Sequence, residues 1–430
     1  MAVLGGGTMG GGIAGLCADR GLDVLLLEIS REAAEAARTR IVSGRPPAID
    51  TAEAAARISV GTFDDDMARL AECDWICEVV VENLEIKQSL LKRVEAARKD
   101  GSIVTSNTSG IPLKAITEGM PERLRRDVAV THFFNPVKVM RLVELVPGEA
   151  TAPDVIPTLA SLMRDRLGKG PVFAKDTVNF IGNRVGCFWI LAGLHVGAGM
   201  RRAGKLDTET MDAVMSAPVG VPSTGLFGLV DLIGLDVMDL VAQNLAANLP
   251  AGDACLPYAK LPEAEAGMLA AGQLGRKSGG GFTRMVKADD GSRMREVFEP
   301  EAGTWRPARE VDLAGPLRRV ETLFFADGPE GDFVRDVMGA TLTYAAGLVP
   351  EIADDIVNVD RAMRWGFGWK MGPFELLDAI GPERIIARLE GAGEVVPKML
   401  AVLKAAGAPT FYRGNEFLGV DGKWHAVPAE

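Results

Sequence analysis

The sequence predicts an α/β chain: an N-terminal domain built on a mostly parallel, doubly wound sheet, then an all-α C-terminal region with two repeated helical units. Three observations predict it. Over the first 175 residues, short apolar or β-branched runs alternate with helix-like segments, as βαβ units require. A glycine-rich stretch, Gly5-Gly6-Gly7-Thr8-Met9-Gly10, stands between the first run and the first helix. Beyond Lys175 the alternation stops, and Phe227-x3-Asp231-x2-Gly234 recurs as Phe374-x3-Asp378-x2-Gly381, with Asp212 and Asp360 upstream at nearly the same offset.

The strand-like runs are AVL (2–4), DVLLLE (23–28), WICEVVVE (75–82), SIVTS (102–106) and VAVTHF (128–133). Between them, SREAAEAARTRI (30–41) and LEIKQSLLKRVEAARK (84–99) return apolar residues every three or four positions and read as amphipathic helices. In a doubly wound sheet the ligand crevice lies beyond the carboxyl ends of the strands. Gly5 to Gly10, Glu28, Glu82, Ser106 and His132 all fall at such ends, so they form one rim.

Composition narrows the function. With 430 residues, 47% hydrophobic and 24% charged, the chain has enough apolar material for more than one core. Its net charge of −11 includes no basic block, which argues against nucleic acid or an anionic membrane surface as a general partner. The five cysteines are odd in number, and Cys73 and Cys77 lack the two-residue gap of a metal knuckle, so all read as reduced thiols of a cytoplasmic protein with no metal site. The first residues carry no basic region ahead of an apolar stretch, so no signal peptide is expected. The longest apolar run, 185–200, is shorter than the ~20 residues of a bilayer span and reads as a buried helix rather than a membrane span.

In the glycine stretch, Gly5 permits the tight turn, Gly7 lets the backbone approach a pyrophosphate, and Gly10 lets helix and strand close together. The helix start at Thr8 and Met9 offers free N–H groups and a positive dipole to the phosphates. Glu28, 18 residues beyond Gly10, can accept both ribose hydroxyls and repels a 2′-phosphate, which favours NAD over NADP. The first domain is therefore expected to be a Rossmann-type NAD-binding domain.

Only three histidines occur, and His132 alone falls on the cofactor rim; His195 and His425 read as structural. Imidazole titrates near ~6.5 and can take the proton of an alcohol while hydride leaves. If 128–134 and 140–146 pair antiparallel about a turn near Lys138, His132 stands opposite Glu144, within side-chain reach. The carboxylate would fix the tautomer and stabilise the imidazolium.

GGGTMGGGIA (5–14), VVVENLEIKQSLLKRVE (79–95), SNTSG (106–110), THFFNPVKVMRLVELVP (131–147), KDTVNFIGNRV (175–185) and GRKSGGGF (275–282) together resemble the 3-hydroxyacyl-CoA dehydrogenase family. The resemblance implies that His132 is the catalytic base and Glu144 its orienting partner. It implies further that Ser106 and Asn183 contact substrate oxygens, that Glu82 and Lys87 lie on the cofactor side, and that Lys277 closes over the cofactor. Two features depart from the family pattern: only Ala2 to Leu4 precede the glycines, and residues 42–57 are short and lysine-poor beside the helical hairpin that holds coenzyme A in single-function members.

The expected domains are a cofactor domain (1–175), a first helical copy (176–285), a polar linker (286–329) containing DDGSR and DGPEGD, a second copy (330–412) and a tail (413–430). The duplication resembles the large bifunctional members, in which the second copy would cover the surface that single-copy relatives use to dimerise, leaving a monomer with an internal pseudo-dimer. The ending at 410–428 resembles the linker that precedes a crotonase-type hydratase, which implies a fused or associated hydratase. Trp365, Phe367, Trp369 and Phe374 read as packing rather than a ligand cage. The leading reading is NAD-dependent oxidation of an L-3-hydroxyacyl-CoA to the 3-ketoacyl-CoA in fatty-acid β-oxidation or related acyl-CoA metabolism. The alternatives are a dehydrogenase of a free hydroxy acid and a catalytically idle NAD-binding structural protein.

Overall fold

Eight strands form one sheet in the order β3-β2-β1-β4-β5-β6-β7-β8: β1 Ala2–Leu4, β2 Val24–Glu28, β3 Ile58–Thr62, β4 Trp75–Glu78, β5 Ile103–Ser106, β6 Val128–Phe133, β7 Leu142–Pro147 and β8 Gly170–Phe173. Every neighbouring pair is parallel except β6 with β7. The computed structural model describes residues 1–287 and 291–430. The chain divides into two units, one of Met1–Ile181 with Glu351–Asp354 and Glu430, the other of Gly182–Pro350 with Asp355–Ala429.

The strands of the first unit form because their apolar runs are buried on both faces: every residue of β1, β4 and β6 is buried. Strand β3 lies outside the runs named from sequence, because Ser59 and Gly61 interrupt its apolar pattern; β8 is likewise additional. The WICEVVVE run is strand only to Glu78, and Val79 to Glu82 form the loop that follows. Sheet order reverses between β2-β1 and β4-β5, which sets the crevice over the carboxyl ends of β1 and β4.

The second unit is a duplication that extends further than the helical motif. Its first copy runs through the helices Gly182–Arg202, Thr208–Val214, Phe227–Ile233, Leu235–Asn248 and Glu263–Ala270 into a three-stranded antiparallel sheet, β9 Thr283–Lys287, β10 Arg293–Glu299 and β11 Thr304–Pro307. Its second runs through Ile356–Gly366, Pro373–Ile380, Pro382–Gly391 and Lys398–Ala405 into β12 Tyr412–Arg413, β13 Glu416–Leu418 and β14 Trp424–Ala426. The correspondence reaches single side chains. Asp207 and Asp355 each cap a helix by accepting from the backbone N–H three residues on. Phe227 meets Phe282 edge to face at 4.9 Å, as Phe374 meets Phe411 at 5.0 Å. Arg284 pairs with the cross-strand Glu296 and lies 4.1 Å over Trp305; Arg413 pairs with Glu416 and lies 4.2 Å over Trp424.

This corrects two expectations. The region expected to be all-α carries two small sheets, and both the polar linker 286–329 and the tail 413–430 hold strands that complete their copies. Their strands alternate charged and apolar residues and are held by arginine–carboxylate and arginine–tryptophan pairs, so they show no hydrophobic run of the kind that marks β6. Asp289 and Asp290 of DDGSR lie outside the described residues.

The two copies pack on each other along the long apolar segment, which is a buried helix as expected. Trp189 and Trp369 meet edge to face at 5.4 Å, a Cβ on Gly186 would strike the Phe367 ring at 2.1 Å, and Arg184 joins Asp253 of the first copy and Tyr344 of the second. The aromatic cluster at 365–374 thus packs between and within copies. His195 bonds the Lys260 carbonyl at 2.8 Å and His425 bonds Asp421 at 2.9 Å.

Candidate active site

At the carboxyl end of β1 the chain turns through Gly5, whose φ of +104° L-residues disfavour, into helix α1, Thr8–Asp19. A Cβ on Gly10 would stand 1.9 Å from the Gly5 carbonyl oxygen, so helix and strand approach as closely as glycine alone allows. A Cβ on Gly7 would meet nothing within 4 Å. The loop is therefore closed beneath and open at Gly7, where no side chain caps the first N–H groups of α1. This arrangement fits a dinucleotide pyrophosphate.

Glu28, ending β2, holds that loop: Oε1 accepts from Gly6 N at 2.8 Å and Oε2 from Ile29 N at 3.0 Å. Arg40, on the helix α2 Arg31–Ser43, donates to the Gly6 carbonyl at 3.0 Å. Arg31, three residues after Glu28 in the sequence, is committed to Asp66 and to the Val60 carbonyl.

A buried charge network lies beyond β4 and β5. Glu78, fully buried at the end of β4, takes the Lys87 ammonium at 2.8 and 3.1 Å, the Val80 N–H at 2.8 Å and the Ser106 hydroxyl at 2.5 Å. Lys87 reaches back from the helix Leu84–Ala97, is 1% exposed, and also pairs with Glu82 at 3.2 Å. Glu82 in turn accepts from the Thr108 hydroxyl and from the N–H groups of Ser109 and Gly110, so it pins the SNTSG loop. Burial alone would raise the Glu82 pKa, but the Lys87 charge and these donors outweigh it and hold the carboxyl below its ordinary value. Lys87, expected on the cofactor side, is thus anchored to two carboxylates, the buried Glu78 and the exposed Glu82.

On the next strand, β6 pairs with β7 in the register His132↔Glu144. Glu144 Oε2 lies 2.6 Å from His132 Nδ1, and both residues are buried. Glu144 Oε1 accepts from Ile181 N at 3.0 Å, because Asn179 and Phe180, both at positive φ, turn the chain toward it. The rings of Phe134 and Phe180 flank the imidazole at 4.6 and 5.7 Å. With Nδ1 held by the carboxylate, Nε2 is the nitrogen left to exchange a proton. Ser106 pairs with Val130, two residues before His132 on the same strand, and Asn107 Oδ1 accepts from Phe133 N at 2.9 Å.

The structure thus gathers Gly5 to Gly10, Glu28, Glu82, Lys87, Ser106, His132 and Glu144 in the first unit. Asn183, half-buried near the start of the helix Gly182–Arg202, and Lys277, paired with Asp236 at 2.5 Å, belong to the second. Sequence reasoning missed Glu78 and Asn107. A carboxylate inside the apolar WICEVV run was the available signal for the first, and the position of Asn107 beside Ser106 for the second.

Residues 1–177 match the family model of the 3-hydroxyacyl-CoA dehydrogenase NAD binding domain, and residues 180–285 and 331–405 match that of the 3-hydroxyacyl-CoA dehydrogenase C-terminal domain. A probable 3-hydroxyacyl-CoA dehydrogenase of Bacillus subtilis is 34% identical over 99% of this chain and 57% of its own length. A fatty acid oxidation complex subunit alpha of Idiomarina loihiensis is 29% identical over 89% of this chain and 51% of its own length. The chain therefore spans little more than half of these relatives. The crystal structure of 3-hydroxybutyryl-CoA dehydrogenase from Escherichia coli shares the fold, with a TM-score of 0.68 and 24% identity over 93% of this chain and 97% of that one. The two matched domains together cover well over half of the sequence, and the chain belongs to the 3-hydroxyacyl-CoA dehydrogenase family.

Proposed function

We propose that this chain oxidises L-3-hydroxyacyl-CoA to 3-ketoacyl-CoA with NAD, and that His132 takes the hydroxyl proton. The observation that supports it is the buried dyad, with Glu144 2.6 Å from Nδ1 of an imidazole whose Nε2 is left for the substrate. NAD bound at the glycine loop supplies the hydride acceptor. The N–H groups at Gly7 to Gly10 receive its pyrophosphate, and Glu28 receives the adenosine ribose while fixing Gly6. In the oxidative direction His132 must be neutral, and Glu144 then stabilises the imidazolium as it forms. Glu78, neutralised by Lys87, accepts the Ser106 hydroxyl, and Glu82 holds the loop behind it. The assignments of Asn183 to the substrate and Lys277 to the cofactor rest on the resemblance alone.

The Idiomarina relative carries the name of a fatty acid oxidation complex subunit, and we infer that this chain works with a crotonase-type hydratase in an assembly of that kind. NADH consumption with acetoacetyl-CoA, run beside NADH formation with free 3-hydroxybutyrate, tests the substrate class. Turnover of the thioester alone is expected. Comparable turnover of the free acid, or none of either, would overturn the reading.

A further inference from the structure

The two copies in the second unit differ at one position that decides whether a cavity is open or filled. In the second copy, Asp378 accepts the N–H groups of Phe411 and Tyr412 at 2.7 and 2.9 Å. The Tyr412 hydroxyl then donates to Asp360 Oδ2 at 2.6 Å, while Asp360 Oδ1 accepts from Phe374 N at 2.8 Å. The phenol fills the space between the half-buried Asp378 and the buried Asp360.

The first copy repeats the frame without the phenol. Asp231 accepts the N–H groups of Phe282 and Thr283 at 2.7 and 2.8 Å, and Asp212 Oδ1 accepts from Phe227 N at 2.7 Å. The residue matching Tyr412 is Thr283, whose short side chain turns to Asp231 Oδ2 at 2.8 Å. Asp212 Oδ2 is left with the Gly228 N–H at 3.2 Å. Burial, opposed by those amide bonds and by Arg295, pushes the Asp212 carboxyl up to about 7.

A cavity of about 990 Å³ opens at this point, lined by Asp212 and Thr283 and by Arg276, Arg284, Arg295 and Arg309. Arg284 is paired with Glu296 and Arg309 with Asp207. Arg276 and Arg295 have no ion pair among the described residues. The lining also holds Glu209, paired with Arg306, and Glu310, so arginines outnumber acids there four to three, and the two uncommitted guanidiniums favour an anionic ligand. The volume lies at the upper end of small-molecule sites, ~300–1,000 Å³. A phenol alone would leave most of it, and both arginines, unused.

We propose that this cavity is a second ligand site, built by the helical unit, that takes an adenine nucleotide. The ring occupies the place of the Tyr412 phenol, its amino group donates to Asp212, and its phosphate meets Arg276 and Arg295.

The test is calorimetric titration of the full chain with AMP. Wild type should bind one more AMP per chain than Thr283→Tyr, which fills the cavity as the second copy does and should keep or raise the melting temperature. The kcat of NADH consumption at saturating acetoacetyl-CoA should be unchanged by that substitution. Arg295→Gln, at an exposed residue, should weaken the Thr283-dependent site at least ~10-fold. Displacement of this AMP by coenzyme A identifies the nucleotide end of that coenzyme as the occupant; resistance to coenzyme A identifies a free nucleotide. Equal AMP stoichiometry in wild type and Thr283→Tyr, or an isotherm that Arg295→Gln leaves unchanged, would overturn the proposal.

Discussion

Replacing Glu144 by Gln removes the negative charge of the dyad at nearly constant shape. The amide oxygen can still accept from His132 Nδ1, so the 2.6 Å contact and the ring orientation survive, while the amide NH2 faces the Ile181 N–H and that second bond is lost with the charge. With both residues buried, an effective dielectric constant of ~20 applies, and opposite charges ~4 Å apart attract by ~4 kcal/mol. That attraction acts only on the imidazolium, hence mainly in the transition state, and the retained hydrogen bond offsets part of the loss. A fall in kcat of ~10²- to 10³-fold follows, with NAD affinity nearly unchanged. His132→Ala, which removes the proton acceptor itself, should cost ~10²- to 10⁴-fold, and the double substitution should fall well short of the product of the two because they act as one unit. The assay is steady-state kinetics in both directions with acetoacetyl-CoA and 3-hydroxybutyryl-CoA, with NADH binding followed by fluorescence. A folded, NADH-binding Glu144→Gln variant that keeps kcat within ~3-fold of wild type would refute the electrostatic argument.

Other outcomes follow from the same geometry. Lys87→Met leaves Glu78 charged and buried without its ammonium, so it should destabilise the first unit by about 3–5 kcal/mol, and adding Glu78→Gln should restore most of this; denaturant midpoints of the single and double variants decide it. Cofactor choice should depend on Glu28, so wild type should prefer NAD, and Glu28→Ala should narrow that preference, measured as the ratio of kcat/KM for NAD and NADP. Asp212 titrates at about 7 in the folded chain against 3.8 ordinarily, so the folded state binds the extra proton. Its contribution is complete below about pH 4 and is lost as pH rises toward 7, and Asp212→Asn should flatten that part of the stability–pH curve.

The sequence by itself determined the parts of this protein that depend on local pattern. Apolar runs buried on both faces had to be strands of a covered parallel sheet, and the glycine spacing had to open a helix toward phosphate. The opposition of His132 and Glu144 was arithmetic, since an antiparallel pair turning near Lys138 allows a single partner for each residue. The Phe-x3-Asp-x2-Gly repeat exposed the duplication because each aspartate accepts the same two backbone N–H groups, those of a phenylalanine and of the residue that opens its copy's small sheet.

Tertiary structure decided what depends on residues distant in the chain. Glu78 could sit inside an apolar strand because Lys87, a helix turn beyond the loop, folds back to neutralise it. The two small sheets were illegible because their strands bury only a few apolar residues, such as Val297 and Leu418, and are held as well by Arg–Glu and Arg–Trp pairs between strands. Whether the space between two aspartates is filled or open turned on Tyr412 and Thr283, single residues whose reach across a core is set by packing and leaves no trace in hydrophobic periodicity.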